Sequence, residues 1–310
     1  MKVIFMGTPD FAVPTLRAIH EAGHELLAVV TQPDKPKGRG GKMQFPPVKE
    51  QALEYGVPVY QPVRIKKEPE FIELLRSLQP EVIVVVAFGQ ILPKEVLDIP
   101  KYGCINVHAS LLPKLRGAAP IQWAVINGEE KTGITTMFMD VGLDTGDMLL
   151  KEETPILPEE TGGSLHDRLA QMGGPLLVRT LEELEKGSLV REKQKDEDSS
   201  YARMLDKALG QLDFSRPAIE LERLIRGLNP WPSAYTHLDG KTMKIWKAEV
   251  VPEDSGRKPG EICRVTKNAI AVQTGSGALE ITELQLEGKK RMSTEAFLRG
   301  YEINEGILLQ

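Results

Sequence analysis

The stretch GCINVHASLLPKLRG, residues 103–117, carries an amide and an imidazole two positions apart in an otherwise apolar run. Side chains alternate along a β-strand, so Asn106 and His108 would point to one face while Ile105 and Val107 point to the other. A Pro turn and a Lys/Arg pair follow directly. We therefore expect Asn106 and His108 to share one pocket at the end of a strand.

A carboxylate follows in the glycine-flanked segment DVGLDTGD, residues 140–147, where Asp144 would close on the same pocket. An amide, an imidazole and a carboxylate without a Ser or Cys nucleophile suit direct transfer of an acyl group to an amine, which is its own nucleophile. The Asn106 amide and a protonated His108 would stabilise the oxyanion that forms. Asp144 would favour the charged imidazole and order a water that carries the amine's proton to the leaving nitrogen.

Each of these three residues also has a structural interpretation. A histidine at a strand end is more often a hydrogen-bonded structural residue than a catalyst, and Asn106 could bond a neighbouring loop. Asp144 lies between glycines and could simply form a turn. Spacing alone therefore leaves both a catalytic trio and three structural residues open.

Strand-like and helix-like segments alternate over the first half of the chain. The strand-like runs are rich in Val and Ile, as is typical of strands covered on both faces of a parallel sheet. The alternation predicts an α/β fold with a doubly wound, mostly parallel, Rossmann-like sheet and right-handed crossovers. Ligands of such sheets bind outside the carboxyl ends of the strands, where NVHASLLP and DVGLDTGD both fall. The strand-like runs are KVIFMG, LLAVVT, VPVY, EVIVVVAFG, GCINVHA and GITTMFMD.

A second, smaller domain is predicted after this one. A long helical pattern over about 164–186 closes the first domain, which we assign to residues 1–188. The charge-dense segment 189–206 has no apolar periodicity and is interpreted as a linker. Residues 207–310 begin with a helical pattern and then alternate apolar and polar residues around Asp-Gly and Gly-Ser-Gly turns. That pattern predicts a small, OB-like antiparallel β-barrel.

Composition narrows the class of protein. Of the 310 residues, 41% are hydrophobic and 27% charged, as in an ordinary globular protein, and the net charge of -5 gives no global basic field. The apolar run at the amino terminus lacks a cleavage site, so we interpret it as a first strand. The two cysteines, Cys104 and Cys263, lie far apart, which favours a reducing cytoplasm. The five histidines show no ligand spacing, so we expect no metal.

Residues 103–149 resemble the signature region of the folate-dependent formyltransferases. The pattern N-x-H-x-S-L-L-P followed by D-x-G-x-D-x-G is highly specific to that family. The resemblance implies that Asn106, His108 and Asp144 form the catalytic trio and that 10-formyltetrahydrofolate is the formyl donor. It further implies a folate-binding turn and an apolar wall around the pterin ring, formed by Ser110, Leu111, Leu112 and Pro113 and by Phe88, Gly89, Gln90, Ile91 and Leu92.

The members of this family differ in the amine that they formylate. The resemblance to those that act on methionyl-tRNA extends over essentially the whole chain, whereas the glycinamide ribonucleotide enzymes would stop near the linker. The loop KPKGRGGK, residues 35–42, carries Lys35, Lys37, Arg39 and Lys42 beside three glycines. Basic side chains on a glycine-rich loop suit close contact with phosphates, although a charge run is often only a solvated surface. The resemblance implies a loop that wedges into the acceptor stem of tRNA.

The sequence therefore predicts a monomeric enzyme of the bacterial cytoplasm that formylates methionyl initiator tRNA. The nearest alternative acceptor is an amino sugar nucleotide, although its two phosphates would leave much of the basic loop unused. A hydrolase of the formylated folate, a dehydrogenase and a non-catalytic RNA-binding module also remain. The dehydrogenase is disfavoured because the first strand ends in MGTPDFA, without the G-x-G-x-x-G turn.

In the predicted barrel, Lys241, Lys244 and Lys247 would offer basic groups to the tRNA backbone. Their spacing of three on an alternating strand predicts that successive lysines lie on opposite faces.

Overall fold

The computed structural model describes residues 1–37, 42–252 and 254–310. Its strands are β1 Lys2–Gly7, β2 Glu25–Val30, β3 Lys35–Lys37, β4 Lys42–Gln44, β5 Val59–Tyr60, β6 Val82–Val86, β7 Cys104–His108, β8 Arg116–Gly117, β9 Lys131–Phe138, β10 Met148–Pro155, β11 Tyr201–Ala202, β12 Ala234–Leu238, β13 Lys241–Val251, β14 Ile262–Val265, β15 Ile270–Gln273, β16 Ala278–Leu286 and β17 Met292–Ser293. Its α-helices are α1 Val13–Glu21, α2 Pro47–Glu54, α3 Pro69–Ser77, α4 Lys94–Leu97, α5 Pro120–Ile126, α6 Gly162–Lys186, α7 Ala218–Gly227 and α8 Thr294–Leu298.

The chain forms two compact units. The first comprises Met1–Gly117, Thr132–Thr154 and His166–Ala202, and the second Ala118–Lys131, Pro155–Leu165 and Arg203–Gln310. Within the described ranges, every helix is too short or too polar to span a bilayer.

The first unit is built around a seven-stranded sheet of order β10-β9-β7-β6-β1-β2-β5. The five strands from β7 to β5 run parallel to one another, so the predicted doubly wound, mostly parallel sheet is confirmed. Strand β6 has the sequence VIVVV and is buried throughout, as expected where both faces of a sheet are covered. The chain reverses its direction of winding between β1 and β6, which opens a crevice at the carboxyl ends of the strands.

Strand β9 departs from the predicted parallel arrangement because it runs antiparallel to β7. Most of its residues are buried, so its sequence looks like that of a parallel strand and does not reveal its direction. Phe138, at the end of β9, pairs with Ile105 near the start of β7. The segment after β9 must therefore run back over the face of the sheet to reach Asn106 and His108.

The second unit contains the predicted antiparallel sheet, in the order β12-β13-β16-β15-β14 with β17 paired to β16. Helix α7 covers this sheet with Leu221, Leu224 and Ile225, which recur at helical spacing and are buried. The same helix packs against α5. A Cβ atom on Gly227 would lie 2.5 Å from Cγ1 of Ile126, so glycine allows this close approach.

The prediction that successive lysines of β13 lie on opposite faces is wrong for Lys244 and Lys247, because this strand contains a β-bulge. The pairing with β16 shifts between Ile245 and Ala248. Before the bulge, Met243 and Ile245 are buried and Lys244 faces outward; beyond it, Ala248 is buried and Lys247 is exposed. An extra residue in a strand resets the alternation of faces. Lys244 and Lys247 therefore lie on the same outer face.

Candidate active site

Strand β7 positions the first two candidate catalytic residues. Asn106 pairs in register with Val85 of β6 and Met137 of β9, so it lies in the interior of the sheet. His108 lies two residues further along the same face and is buried, with 6% of its surface exposed. The structure thus brings the amide and the imidazole together on one face at the end of β7.

A hydrogen bond determines the orientation of the His108 ring. Its Nε2 lies 2.9 Å from the carbonyl oxygen of Leu115. A carbonyl oxygen only accepts hydrogen bonds, so Nε2 carries the hydrogen and Nδ1 is the nitrogen that faces the pocket. Leu115 has a φ of 56°, and its backbone N–H donates to Oγ of Ser200 at 2.9 Å.

Asp144 joins this pair from the segment after β9. Its Oδ1 accepts a hydrogen bond from Nδ2 of Asn106 at 3.4 Å, and its Oδ2 lies 3.8 Å from Nδ1 of His108. The backbone N–H of Gly117 donates to Oδ2 at 2.8 Å. The carboxylate is thus directed at both candidate partners, and only 13% of the side chain is exposed.

The Asp144 loop, residues 139–147, depends on close backbone contacts. A Cβ atom on Gly146 would lie 1.8 Å from the carbonyl oxygen of Phe138, so only glycine fits there. Oδ1 of Asp140 accepts hydrogen bonds from the backbone N–H of Gly142 at 2.9 Å and from Oγ1 of Thr145 at 2.7 Å. The D-x-G-x-D-x-G pattern therefore encodes a compact turn with Asp144 at its tip.

The segment Ser110–Pro113 lies beside His108 and is tied to β9. Oγ1 of Thr135 donates to the carbonyl oxygen of Ser110 at 2.6 Å and accepts from the backbone N–H of Leu112 at 3.2 Å. The side chain of Leu112 packs into an apolar cluster with two methionines. Leu111 and Pro113 are only partly buried and are therefore the apolar members of this turn that remain accessible to a ligand.

The segment Phe88–Leu92 follows β6 at the same edge of the sheet. Phe88 and Leu92 are buried in the core, whereas Ile91 is 79% exposed. The amide of Gln90 accepts from the backbone N–H of Ile65 and donates to the carbonyl oxygen of Pro62, both at 2.9 Å. Gly89 has a φ of 87°, a conformation that favours glycine. Ile91 and the backbone around Gly89 are thus the parts of this segment that a ligand could touch.

The predicted tRNA-binding loop is only partly described. Strands β3 and β4 form a short antiparallel hairpin in which Lys37 pairs with Lys42. Lys35 is exposed at the start of the hairpin. Arg39 and the side chains of Lys37 and Lys42 lie outside the described residues, so their predicted role stays a prediction.

A polar network holds the base of this hairpin. Nζ of Lys49 donates to both carboxylate oxygens of Asp34, at 2.9 and 2.7 Å, and to Oε1 of Gln61 at 2.8 Å. The amide of Gln61 donates to Oδ1 of Asp34 at 2.8 Å. The hydrogen bond from Lys49, followed by that from Gln61, holds the pKa of Asp34 below its ordinary value. Asp34 directly precedes the hairpin, so its carboxylate fixes where the basic loop begins.

Two polar residues contact the site without having been singled out from the sequence. Nε2 of Gln194 donates to the carbonyl oxygens of Asp144 and Gly146, both at 2.8 Å. Ser200 holds Leu115, the residue that accepts the His108 hydrogen bond. Both lie in a charge-dense stretch with no apolar pattern. The sequence could point to these two residues only if this stretch were known to run beside β8. In the structure it does so, and Tyr201 pairs with Arg116.

Two family models match consecutive parts of the chain. The formyl transferase model matches residues 1–181, and the model for the formyl transferase C-terminal domain matches residues 204–302.

The chain belongs to the formyl transferase family.

Full-length relatives include proteins named methionyl-tRNA formyltransferase from Agathobacter rectalis and Lachnospira eligens. The first is 59% identical over 99% of this chain and 98% of its own length. The second is 56% identical over 100% of this chain and 99% of its own length.

A solved structure has the same fold at lower identity. The N-formyltransferase from Helicobacter canadensis, in complex with folinic acid and dTDP-3-aminofucose, superposes with a TM-score of 0.70 and is 18% identical, over 94% of this chain and 100% of its own. This similarity shows that the fold is that of a formyl transferase.

Proposed function

We propose that the protein transfers the formyl group of 10-formyltetrahydrofolate to the α-amino group of methionyl initiator tRNA. The observation that carries this proposal is the convergence of Asn106, His108 and Asp144 in a chain whose full-length relatives are named methionyl-tRNA formyltransferase. The name of those relatives gives methionyl-tRNA as their substrate, and the three side chains would supply the chemistry of transfer here. The reaction belongs to the bacterial cytoplasm, where initiator tRNA is used.

The reaction needs no covalent enzyme intermediate. The lone pair of the α-amino nitrogen attacks the formyl carbon, and the carbonyl electrons move to the oxygen to give a tetrahedral oxyanion. When the carbonyl forms again, the bond between that carbon and the folate nitrogen breaks. The proton lost by the amine is taken up by the leaving nitrogen, so the products are N-formylmethionyl-tRNA and tetrahydrofolate.

The three side chains would divide this work. The Asn106 amide has two N–H groups, of which one faces Asp144, and the second is available to the oxyanion. Nδ1 of His108 faces the same space and would add a charged donor when protonated. The Asp144 carboxylate would stabilise that imidazolium and order the water that carries the proton between the two nitrogens.

The remaining contacts with the two substrates are assigned to four segments. Ser110–Pro113 and Phe88–Leu92 would hold the folate, with Ile91 and the backbone at Gly89 as the accessible surface. Lys35, Lys37, Arg39 and Lys42 would contact phosphates of the tRNA acceptor stem. The domain at 207–310 would bind the tRNA backbone, and Lys244 and Lys247 lie on one face of its sheet.

The acceptor is tested by comparing two amines at a fixed concentration of 10-formyltetrahydrofolate. We expect kcat/KM for methionyl initiator tRNA to exceed that for an amino sugar nucleotide by several orders of magnitude. Uncharged initiator tRNA should give no formylated product and serves as the control for the free α-amino group. Formylation of the sugar nucleotide alone would retain the chemistry of the trio but reject tRNA as the acceptor. Release of formate without an acceptor would indicate a hydrolase.

A further inference from the structure

We infer that Gln194 is a positioning residue for formyl transfer, because its side-chain amide holds the Asp144 loop in its active conformation. The expected effect on kcat rests on the proposed function. The hydrogen bonds from Gln194 to the Asp144 loop lie within the first unit, and their role in holding the loop can be tested without measuring any activity. Gln194 does not belong to the formyltransferase signature quoted above, and it lies 50 residues beyond Asp144 in the sequence.

Both N–H groups of the Gln194 amide are used within the loop. Nε2 donates to the carbonyl oxygen of Asp144 and to that of Gly146, each at 2.8 Å. The two bonds thus bracket the peptide units that follow the candidate catalytic carboxylate. Since neither hydrogen of Nε2 remains free, Gln194 is placed to hold the loop and not to contact substrate.

Arg116 determines which way round the Gln194 amide lies. Nε of Arg116 lies 2.9 Å from Oε1 of Gln194. A guanidinium only donates hydrogen bonds, so the oxygen of the amide must face Arg116 and the nitrogen must face the two loop carbonyls. Nη1 of Arg116 also donates to Oδ1 of Asp196 at 3.0 Å, which fixes the guanidinium itself. The Gln194 amide therefore has a single orientation that satisfies these three hydrogen bonds.

The backbone of this loop gains from outside support. Asp144 has a φ of 54°, in the left-handed region that Asp enters more readily than most residues with a Cβ atom, although less readily than glycine. Val141 and Leu143 are 75% and 51% exposed, so apolar packing does little to hold the tip of the loop. Its anchors to other segments at this point are polar: Gln194 holds the backbone, and the N–H of Gly117 and Nδ2 of Asn106 both donate to the Asp144 carboxylate.

Arg116 and Gly117 are neighbours in strand β8, so this short strand contacts both Gln194 and Asp144. The side chain of Arg116 orients the amide that holds the Asp144 backbone, and the N–H of Gly117 holds the Asp144 side chain. Displacement of the loop would therefore move the carboxylate away from Nδ1 of His108. Misplacement of a catalytic group by about 1 Å can cost about a hundredfold in rate.

The test compares Gln194→Met, Gln194→Glu and the control Gln171→Met, which alters an exposed glutamine of α6. We expect kcat to fall about 10- to 100-fold in both Gln194 variants, with KM for either substrate changed less than about threefold. In Gln194→Glu the carboxylate would face two carbonyl oxygens, and protonation would restore one donor. Its kcat, relative to that of Gln194→Met, should therefore rise as the pH falls. A merely structural role would not produce that difference.

A measurement independent of activity is hydrogen exchange at the Gly117 amide, which donates to Asp144. We expect faster exchange in Gln194→Met and an unchanged rate in Gln171→Met. If the parent protein fails to formylate methionyl-tRNA but exchange responds in this way, the proposed function is wrong and the positioning role stands. If the parent is active and both Gln194 variants keep kcat within about twofold, or if exchange at Gly117 is unchanged, the inference is wrong.

Discussion

His108 and Leu115 are joined by a hydrogen bond of 2.9 Å that runs from the ring Nε2–H to the backbone carbonyl oxygen. This bond leaves Nδ1, 3.8 Å from the Asp144 carboxylate, as the ring nitrogen that can bind or release a proton in the pocket. The mechanism therefore assigns opposite roles to the two nitrogens. Nε2 orients the ring, and Nδ1 would take part in the proposed formyl transfer.

Replacement of His108 by glutamine separates these two roles. The glutamine Nε2 can keep the hydrogen bond to Leu115, whereas the ring nitrogen facing Asp144 is lost. We expect kcat to fall about 10²- to 10⁴-fold, the range for loss of a general acid or base. The melting temperature and the Kd for folate should stay close to those of the parent. A kcat within about tenfold of the parent would reject a catalytic role for Nδ1.

Replacement of Asn106 by aspartate keeps the shape of the side chain and removes its two N–H donors. It also sets a second carboxylate beside Asp144, at the atom now 3.4 Å away. Loss of one oxyanion donor costs about 10²- to 10³-fold in kcat, and we expect at least that decrease. Folate binding, measured by calorimetry, should persist. Equal loss of folate affinity and kcat would instead make Asn106 a binding residue.

Replacement of Arg39 by alanine tests the basic loop. We expect KM for methionyl-tRNA to rise about tenfold. The slope of the logarithm of the tRNA-binding constant against the logarithm of the salt concentration should become less steep by about 1, as for the loss of one phosphate contact. Folate affinity should be unchanged. Lys186→Ala, an exposed lysine at the end of α6, is the charge-matched control. An identical salt dependence in the Arg39 variant and the parent would remove the loop from the tRNA interface.

Replacement of Gly146 by alanine tests the packing of the Asp144 loop. The added Cβ would lie 1.8 Å from the carbonyl oxygen of Phe138, so the backbone must shift. We expect the free energy of unfolding to decrease by about 1–3 kcal/mol, as for other overpacked sites, together with a loss of kcat. Gly300→Ala is the control because nothing lies within 4 Å of its added Cβ. Equal stability of the two variants in urea titrations would contradict the close contact.

The Asp34–Lys49 ion pair predicts a pH-dependent stability. Because the folded state lowers the pKa of Asp34, the pair stabilises the protein above the unfolded pKa of about 4 and loses that effect as the pH falls through the lowered native value. Asp34→Asn should therefore be less stable than the parent at pH 7, and the difference should shrink and disappear as the pH falls through the lowered native pKa of Asp34. Asp98→Asn breaks an exposed pair with Lys94 and should change stability little at pH 7. If the difference in the free energy of unfolding between Asp34→Asn and the parent did not change with pH, this prediction would be wrong.

The sequence predicts those parts of the fold and site that depend on local patterns. Strand alternation brings Asn106 and His108 to one face, and the glycines around Asp144 indicate a tight turn. The β-rich character of residues 207–310 follows from their alternation and turns. These features need no knowledge of which segments are neighbours.

The remaining features depend on contacts between distant segments. A buried strand such as β9 has the same apolar pattern in either direction, so its antiparallel pairing with β7 was not predicted. The bulge in β13 arises from its register with β16, which alternation alone cannot show. Gln194 and Ser200 are polar residues in a polar stretch, and their contacts emerge only once that stretch lies beside β8.

The most direct test is a single-turnover reaction of the protein with isotopically labelled 10-formyltetrahydrofolate and methionyl initiator tRNA, followed by mild hydrolysis and mass spectrometry of the released amino acid. We predict labelled N-formylmethionine from the parent and at least about a hundredfold less in the same time from Asn106→Asp. Unlabelled methionine alone from the parent, or equal amounts of labelled product from both proteins, would contradict formyl transfer by this site.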